Sequence, residues 1–168
     1  INVEIFNPDS IQIINQKAGV KIFGGMTKFY PEKSLKIIAR KEYGKNRFNC
    51  NLFNVEERAY KQLILRHSGN DYRKTRFRDA LLTSIISEEN IDIQKSTPAH
   101  LFVNSEYWGV YNIREKINEH YIKNNYKIKT EDLDMLQGNK VTEYGSKSAY
   151  VNMIKYIKKN NMRDSIHF

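Results

Sequence analysis

The sequence predicts an α+β fold built on a mainly antiparallel sheet, and three observations carry that prediction. Most apolar runs are short and rich in β-branched or aromatic residues, as in Val20-Lys21-Ile22-Phe23 and Leu35-Lys36-Ile37-Ile38. The segments between neighbouring runs are mostly too short for the helical crossovers that parallel strands require. Few stretches carry a helical period, the clearest beginning at Phe77. The order is strands, one prominent helix, two more strands and then helices.

The first pair of strands is Val3–Phe6 and Ile11–Ile14, broken by the turn formers Asn7-Pro8-Asp9-Ser10. Gly19–Phe23 follows as a strand, and Gly24-Gly25 turns the chain into Met26-Thr27-Lys28. Two glycines beside basic residues would let a phosphate approach backbone amides, although such a pair more often makes just an ordinary turn. Pro31-Glu32-Lys33-Ser34 opens a strand over Leu35–Arg40 with Leu35, Ile37 and Ala39 on one face. Tyr43–Phe53 is polar and irregular and reads as a loop, and Arg58–Arg66 reads as one further strand.

His67–Asp71 is a turn cluster. Beyond it, Phe77, Ala80, Leu81, Ser84 and Ile85 recur at helical spacing, with Leu82 and Ile86 widening a stripe expected to face the core. This helix fades near Glu88-Glu89-Asn90. After Pro98, residues Leu101–Glu115 form a hairpin. Leu101-Phe102-Val103 is one strand, Asn104-Ser105-Glu106 the break, and Tyr107–Ile113 the return around Gly109. The hairpin exits through Arg114-Glu115-Lys116, which suits a site on a rigid scaffold, although on pattern alone a strand simply reaching the surface is the more common reading. A helix over Asn118–Asn125, an N-cap at Thr130-Glu131-Asp132-Leu133 and a last helix over Ser148–Asn160 complete the chain. In that last helix Tyr150, Ile154 and Ile157 share one face, with lysines opposite.

At 168 residues the chain suits one domain, and 40% hydrophobic with 12% aromatic residues is a folding composition. The balance of 28 Lys and Arg against 19 Asp and Glu gives +9, which suits an acidic or phosphate-bearing partner. The cations are spread along the chain without an arginine-rich or aromatic-basic motif, so nucleic acid is not the expected partner. A single cysteine, Cys50, excludes an intramolecular disulfide and a multi-cysteine zinc site. No apolar stretch approaches the length of a membrane span.

Site chemistry is mostly absent from the motifs. His67, His100, His120 and His167 lack metal-ligand spacing, and there is no GxSxG elbow, Walker loop or dinucleotide fingerprint. Two polar groups are nevertheless expensive to place beside apolar runs. They are Leu65-Arg66-His67-Ser68-Gly69-Asn70-Asp71 and, at the hairpin exit, Arg114-Glu115-Lys116.

An ordered set of segments resembles a known family. It comprises Gln16, Val20-Lys21-Ile22-Phe23-Gly24-Gly25, Pro31-Glu32-Lys33-Ser34-Leu35, Tyr43-Gly44, Leu65-Arg66-His67-Ser68-Gly69-Asn70-Asp71, Arg78-Asp79 and Asn104–Lys116. The set spans residues 15–155, and NSEYWGVYNIREK is its most specific block. It resembles the spore coat protein H (CotH) kinase-like family, in a form common in Bacteroidetes-type secreted proteins. The resemblance implies a kinase-like N-lobe over residues 15–117, then a hinge and helices over 118–160. It also implies transfer of the γ-phosphate of ATP, with Mg²⁺, to Ser or Thr of a protein such as a Ser/Thr- and Lys-rich surface or coat protein. Cell-surface, secreted or spore-coat placement follows by the same resemblance.

By analogy with kinases, Lys33 is the expected phosphate-contacting lysine, Asp79 its acidic partner and Arg78 a second phosphate contact. Glu115, within Arg114–Ile117, is expected near the adenine and ribose. Without a nucleotide, Asp79 would serve the helix N-terminus, Glu115 would pair with Arg114 or Lys116, and Arg66 would pair with Asp71 across the turn. Where many relatives have Arg-Gly-Asn-Ser in the glycine turn, this chain has Phe23-Gly24-Gly25-Met26. The family's Asn-x-Asp and Trp-Asp-x-Asp-like blocks, which supply catalytic and metal-binding carboxylates, do not occur before Phe168. The chain as given is therefore expected to be catalytically incomplete. The alternative is a non-catalytic surface or spore-coat interaction module of the same family.

Overall fold

A computed structural model describes residues 1–53, 58–138 and 141–167. It is α+β, as predicted, with antiparallel pairing in every sheet. The chain divides into two compact units, Ile1–Lys116 and Ile117–Phe168.

The first unit begins with the hairpin of β1 (Asn2–Phe6) and β2 (Gln12–Lys17). Asn7 closes its turn, the backbone carbonyl accepting from Ser10 N and the side-chain Oδ1 from Ile11 N. A five-stranded sheet follows from β3 (Gly19–Phe23), β4 (Ser34–Ile38), β7 (Gln62–Arg66), β8 (Ser96–Val103) and β9 (Glu106–Glu115). Its spatial order is β3-β4-β7-β9-β8. Pro98 lies inside β8, which therefore starts before the predicted hairpin; an edge strand tolerates the missing N–H.

Two further strands lie where a loop and a single long strand were expected. β5 (Phe48–Cys50) pairs with β6 (Arg58–Tyr60), and Lys61 separates β6 from β7. Phe48, Cys50 and Tyr60 are buried with Ile14, Ile37, Leu63 and Ile113 in one core. The polar residues around Tyr43–Phe53 hide this strand because only its alternate positions are apolar and only three residues pair.

The strand register puts Leu65, Leu35 and Ile113 on the core face with Leu63 and Ile37. By the same alternation Ile64, Arg66, Asn112 and Arg114 share the opposite face. Arg66 and Arg114 are diagonal neighbours there, on adjacent central strands.

Helix α1 (Arg78–Ile85) forms where the period predicted it, but it buries none of its residues. Leu81, Leu82 and Ile85 are 47%, 58% and 66% exposed, so the stripe expected in the core lies on the surface. The turn between β8 and β9 is Asn104-Ser105 alone, both residues at positive φ, and Glu106 already belongs to β9. Opposite Leu101 and Phe102 the register shifts, giving a bulge next to Gly109.

The second unit holds α2 (Glu119–Tyr126), a hairpin of β10 (Met135–Gln137) and β11 (Val141–Tyr144), and α3 (Ser148–Lys159). Asn118 caps α2, its Oδ1 accepting from His120 N and Tyr121 N at 3.0 and 3.1 Å. Thr130–Asp132 makes only a 3₁₀ turn with no side-chain cap, in place of the helix start expected there. The β10–β11 pair is absent from the sequence expectation because each strand is short and one is largely exposed. Among the described residues no helix is long and apolar enough to cross a membrane.

Candidate functional site

The two polar groups that looked expensive in the sequence meet on the non-core face of the large sheet. Arg66 ends β7 after three apolar residues, and its Nε donates to Asp79 Oδ2 at 2.9 Å. Arg114, near the end of β9, donates from one terminal nitrogen to Asp79 Oδ1 at 2.8 Å. One carboxylate in the first turn of α1 thus joins two strands. Burial would raise the Asp79 pKa, but the Arg114 hydrogen bond and the charges of Arg114 and Arg66 outweigh it and hold the carboxyl below its ordinary value.

The two arginines differ in access. The Arg66 side chain is 31% exposed and that of Arg114 only 5%. Burial lowers the Arg114 pKa against the opposing pull of Asp79, and the Arg114 Nε is buried without a hydrogen-bond partner. Gly69, at φ +59°, lets Arg66 through: a Cβ there would sit 2.7 Å from its terminal nitrogen.

The segment from β7 to α1 is fixed by further polar ties. Asp71 accepts from Thr75 Oγ1 at 2.5 Å and from the Arg78 backbone N at 3.2 Å, and its carboxylate lies 3.1 Å from the Arg78 guanidinium. The Thr75 hydrogen bond is the chief reason its pKa is lowered, and it outweighs burial. Arg66 therefore pairs with Asp79 rather than with Asp71, and Asp71 anchors the start of α1. Arg76, itself at φ 62°, grips Glu32 with both terminal nitrogens at 2.7 Å each. Asn112 Nδ2 donates to Ser68 Oγ and to the Arg76 carbonyl, both at 3.1 Å.

Below this segment lies a buried Ser–His pair. Ser34 Oγ accepts the His67 backbone N–H at 3.1 Å and lies 2.5 Å from His67 Nδ1. The His67 ring contacts Tyr30 and Tyr72, with centroids 6.3 and 5.5 Å away.

The expected site residues are only partly brought together. Lys33 does not reach Asp79: its Nζ donates to the carbonyls of Lys28, at 3.0 Å, and Tyr30. The 3₁₀ turn at Met26–Phe29 points those carbonyls back at it. Arg78 is 56% exposed beyond its pair with Asp71. Glu115 lies on the core face opposite Leu63 and is only 6% exposed. Burial pushes its pKa up against the pull of Arg58 and Lys95.

Arg66 and Arg114 were legible as costly cations ending apolar strands, but not as partners, because 13 and 35 positions separate them from Asp79. Among the described residues no group of three His, Cys, Asp or Glu side chains converges on a possible metal position.

No curated protein and no solved structure matches the chain. A family model described as CotH kinase protein matches residues 20–167, nearly the whole chain and all of the segments that build this site. The chain belongs to the CotH kinase protein family.

Proposed function

We propose that residues 15–117 form the ATP-binding lobe of a CotH-like protein kinase and that Arg66 is its principal phosphate contact. The observation that carries this reading is the pair Arg66–Asp79 at 2.9 Å. In protein kinases a cation on the third strand of the N-lobe pairs with an acid on the helix that follows, and contacts the α and β phosphates. Here the large sheet runs in chain order β3, β4, β7, then α1, then β8 and β9. Arg66 ends the third of these strands and Asp79 lies on the helix between the third and fourth. Arginine suits the role, because a guanidinium can hold a carboxylate on one edge and a phosphate on another.

In this reading Arg78, exposed beside the same helix start, supplies a second phosphate contact, and Asp79 orients the cation instead of meeting the ligand. Lys33 is a structural lysine. Mg²⁺, which phosphoryl transfer uses, finds no converging group of three His, Cys, Asp or Glu side chains among the described residues. The family membership supports transfer to a protein Ser or Thr, with a spore-coat or surface protein as acceptor.

Calorimetric titration of the full chain with ATP tests the assignment. Arg66→Ala is expected to weaken ATP binding by about tenfold or more, as expected for loss of one charge-assisted contact. Lys33→Ala is expected to stay within about twofold. Equal affinity of wild type and Arg66→Ala would remove Arg66 from the site. A large loss in Lys33→Ala alone would return the role to the lysine.

A further inference from the structure

We propose that Arg114 is a positioning residue: it holds Asp79, and with it α1, in the ligand-ready place whether or not a nucleotide is bound. This rests on the reading of Arg66 as the phosphate contact. In a site with one cation and one acid, the helix is free to leave when that single pair breaks. Here the Asp79 carboxylate is divided between two arginines. Oδ2 takes Arg66 Nε and Oδ1 takes a terminal nitrogen of Arg114.

Arg114 suits the anchoring half of this arrangement. Its side chain is 5% exposed against 31% for Arg66, so its bond to Asp79 is shielded from competing water and salt. It sits in a long central strand paired on both sides, to β7 and β8. Among the described residues the helix has little else to fix its position laterally. It buries none of its residues, and the ties from Asp71 to the backbone and side chain of Arg78 act at the same end. Arg66 meets Asp79 through Nε, and its terminal nitrogen runs past Gly69. Asp79 thus stays in place while Arg66 turns its outer edge to a ligand. Control by swinging this helix in and out, which kinases use when αC position is regulated, is replaced here by a permanently placed helix.

Hydrogen exchange of residues 78–85 in the full chain, with ATP affinity and thermal stability measured alongside, tests the proposal. In wild type, saturating ATP is expected to change exchange in α1 by less than about twofold, because the helix is already held. Arg114→Met is expected to speed that exchange about tenfold or more and to weaken ATP binding about tenfold, and Arg114→Lys to restore most of both. If Arg114→Met fails to fold, Asp79→Asn is expected to loosen α1 in the same way.

Strong slowing of α1 exchange by ATP in wild type would overturn the proposal. So would Arg114→Met with unchanged exchange, or with lowered thermal stability and unchanged ATP affinity. A wild-type chain that binds no ATP would end the nucleotide reading alone, and the exchange of α1 in the ATP-free variants would still decide the role of Arg114.

Discussion

Ser34 Oγ bonds His67 twice, accepting the backbone N–H at 3.1 Å and meeting Nδ1 at 2.5 Å. The oxygen keeps a second lone pair, so it either donates to Nδ1 or accepts from it according to the imidazole tautomer; the other ring nitrogen is Nε2. That nitrogen is buried and has no hydrogen-bond partner. Neutral His67 therefore fits the site, and the imidazolium does not.

A pH dependence follows with a definite sign. Burial lowers the His67 pKa first; Glu32 pulls it up, and Arg66, Arg76 and Lys33 push it down. The unfolded chain then binds a proton near pH 6.5 that the folded chain refuses, so stability falls as pH drops below about 6.5. Urea unfolding at pH 7.5 and 5.5 checks this. Wild type is expected to lose stability across that window and His67→Gln to lose less; identical slopes would remove His67 as the cause.

Glu115 gives a prediction of opposite sense. Its folded pKa is raised by burial, so its contribution to stability is present below the unfolded value of about 4.3 and is lost as pH rises through the folded value. At pH 7 the ionised carboxylate is a net burden on the core face. Glu115→Gln keeps the shape and is expected to stabilise the chain at pH 7 by on the order of 1 kcal/mol. The gain should shrink as pH approaches 4. Destabilisation at pH 7 would mean that the pull of Arg58 and Lys95 outweighs burial.

Among the described residues, most of the alternating strands, the central hairpin and the three α-helices were legible in the sequence, because each follows from a period or a turn former that acts locally. Phe48–Cys50 was hidden, since three paired residues leave too short a pattern, and Lys61 gave no sign that it divides Arg58–Arg66. At the site, the cost of ending apolar strands in Arg66 and Arg114 was visible, whereas their common partner was not. Pairing across strands and onto a helix is set by register, and register needs the folded sheet. Lys33 is expected at the phosphates only through the family resemblance, and the carbonyls that hold it, of Lys28 and Tyr30, belong to a turn and its cap whose direction the two glycines left open.

The hairpin turn offers a simple stability test. Asn104 and Ser105 lie at φ 50° and 67°, the double left-handed conformation of a type I′ turn, in which Asn-Gly is the favoured pair. Serine at the second position pays a steric penalty that glycine does not, partly offset by the extra freedom of glycine in the unfolded chain. Ser105→Gly is expected to stabilise by about 0.5 kcal/mol, read as a rise in the urea midpoint with an unchanged slope. A loss of stability would mean that Ser105 makes a compensating interaction in the turn.

The exposed stripe of α1 separates helical period from burial. A core-facing Ile85 would make Ile85→Lys cost several kcal/mol, as burial of an unpaired charge does. At 66% exposure the side chain has little contact to lose, and lysine is at least as good a helix former. Ile85→Lys is therefore expected to change unfolding free energy by less than about 0.5 kcal/mol. Leu63→Ala is the control, because Leu63 is fully buried in the core; it is expected to cost about 2–5 kcal/mol. A loss in Ile85→Lys approaching that of Leu63→Ala would mean that this face of α1 is covered in the folded protein, and the position of α1 would then rest on apolar packing as well as on Asp79.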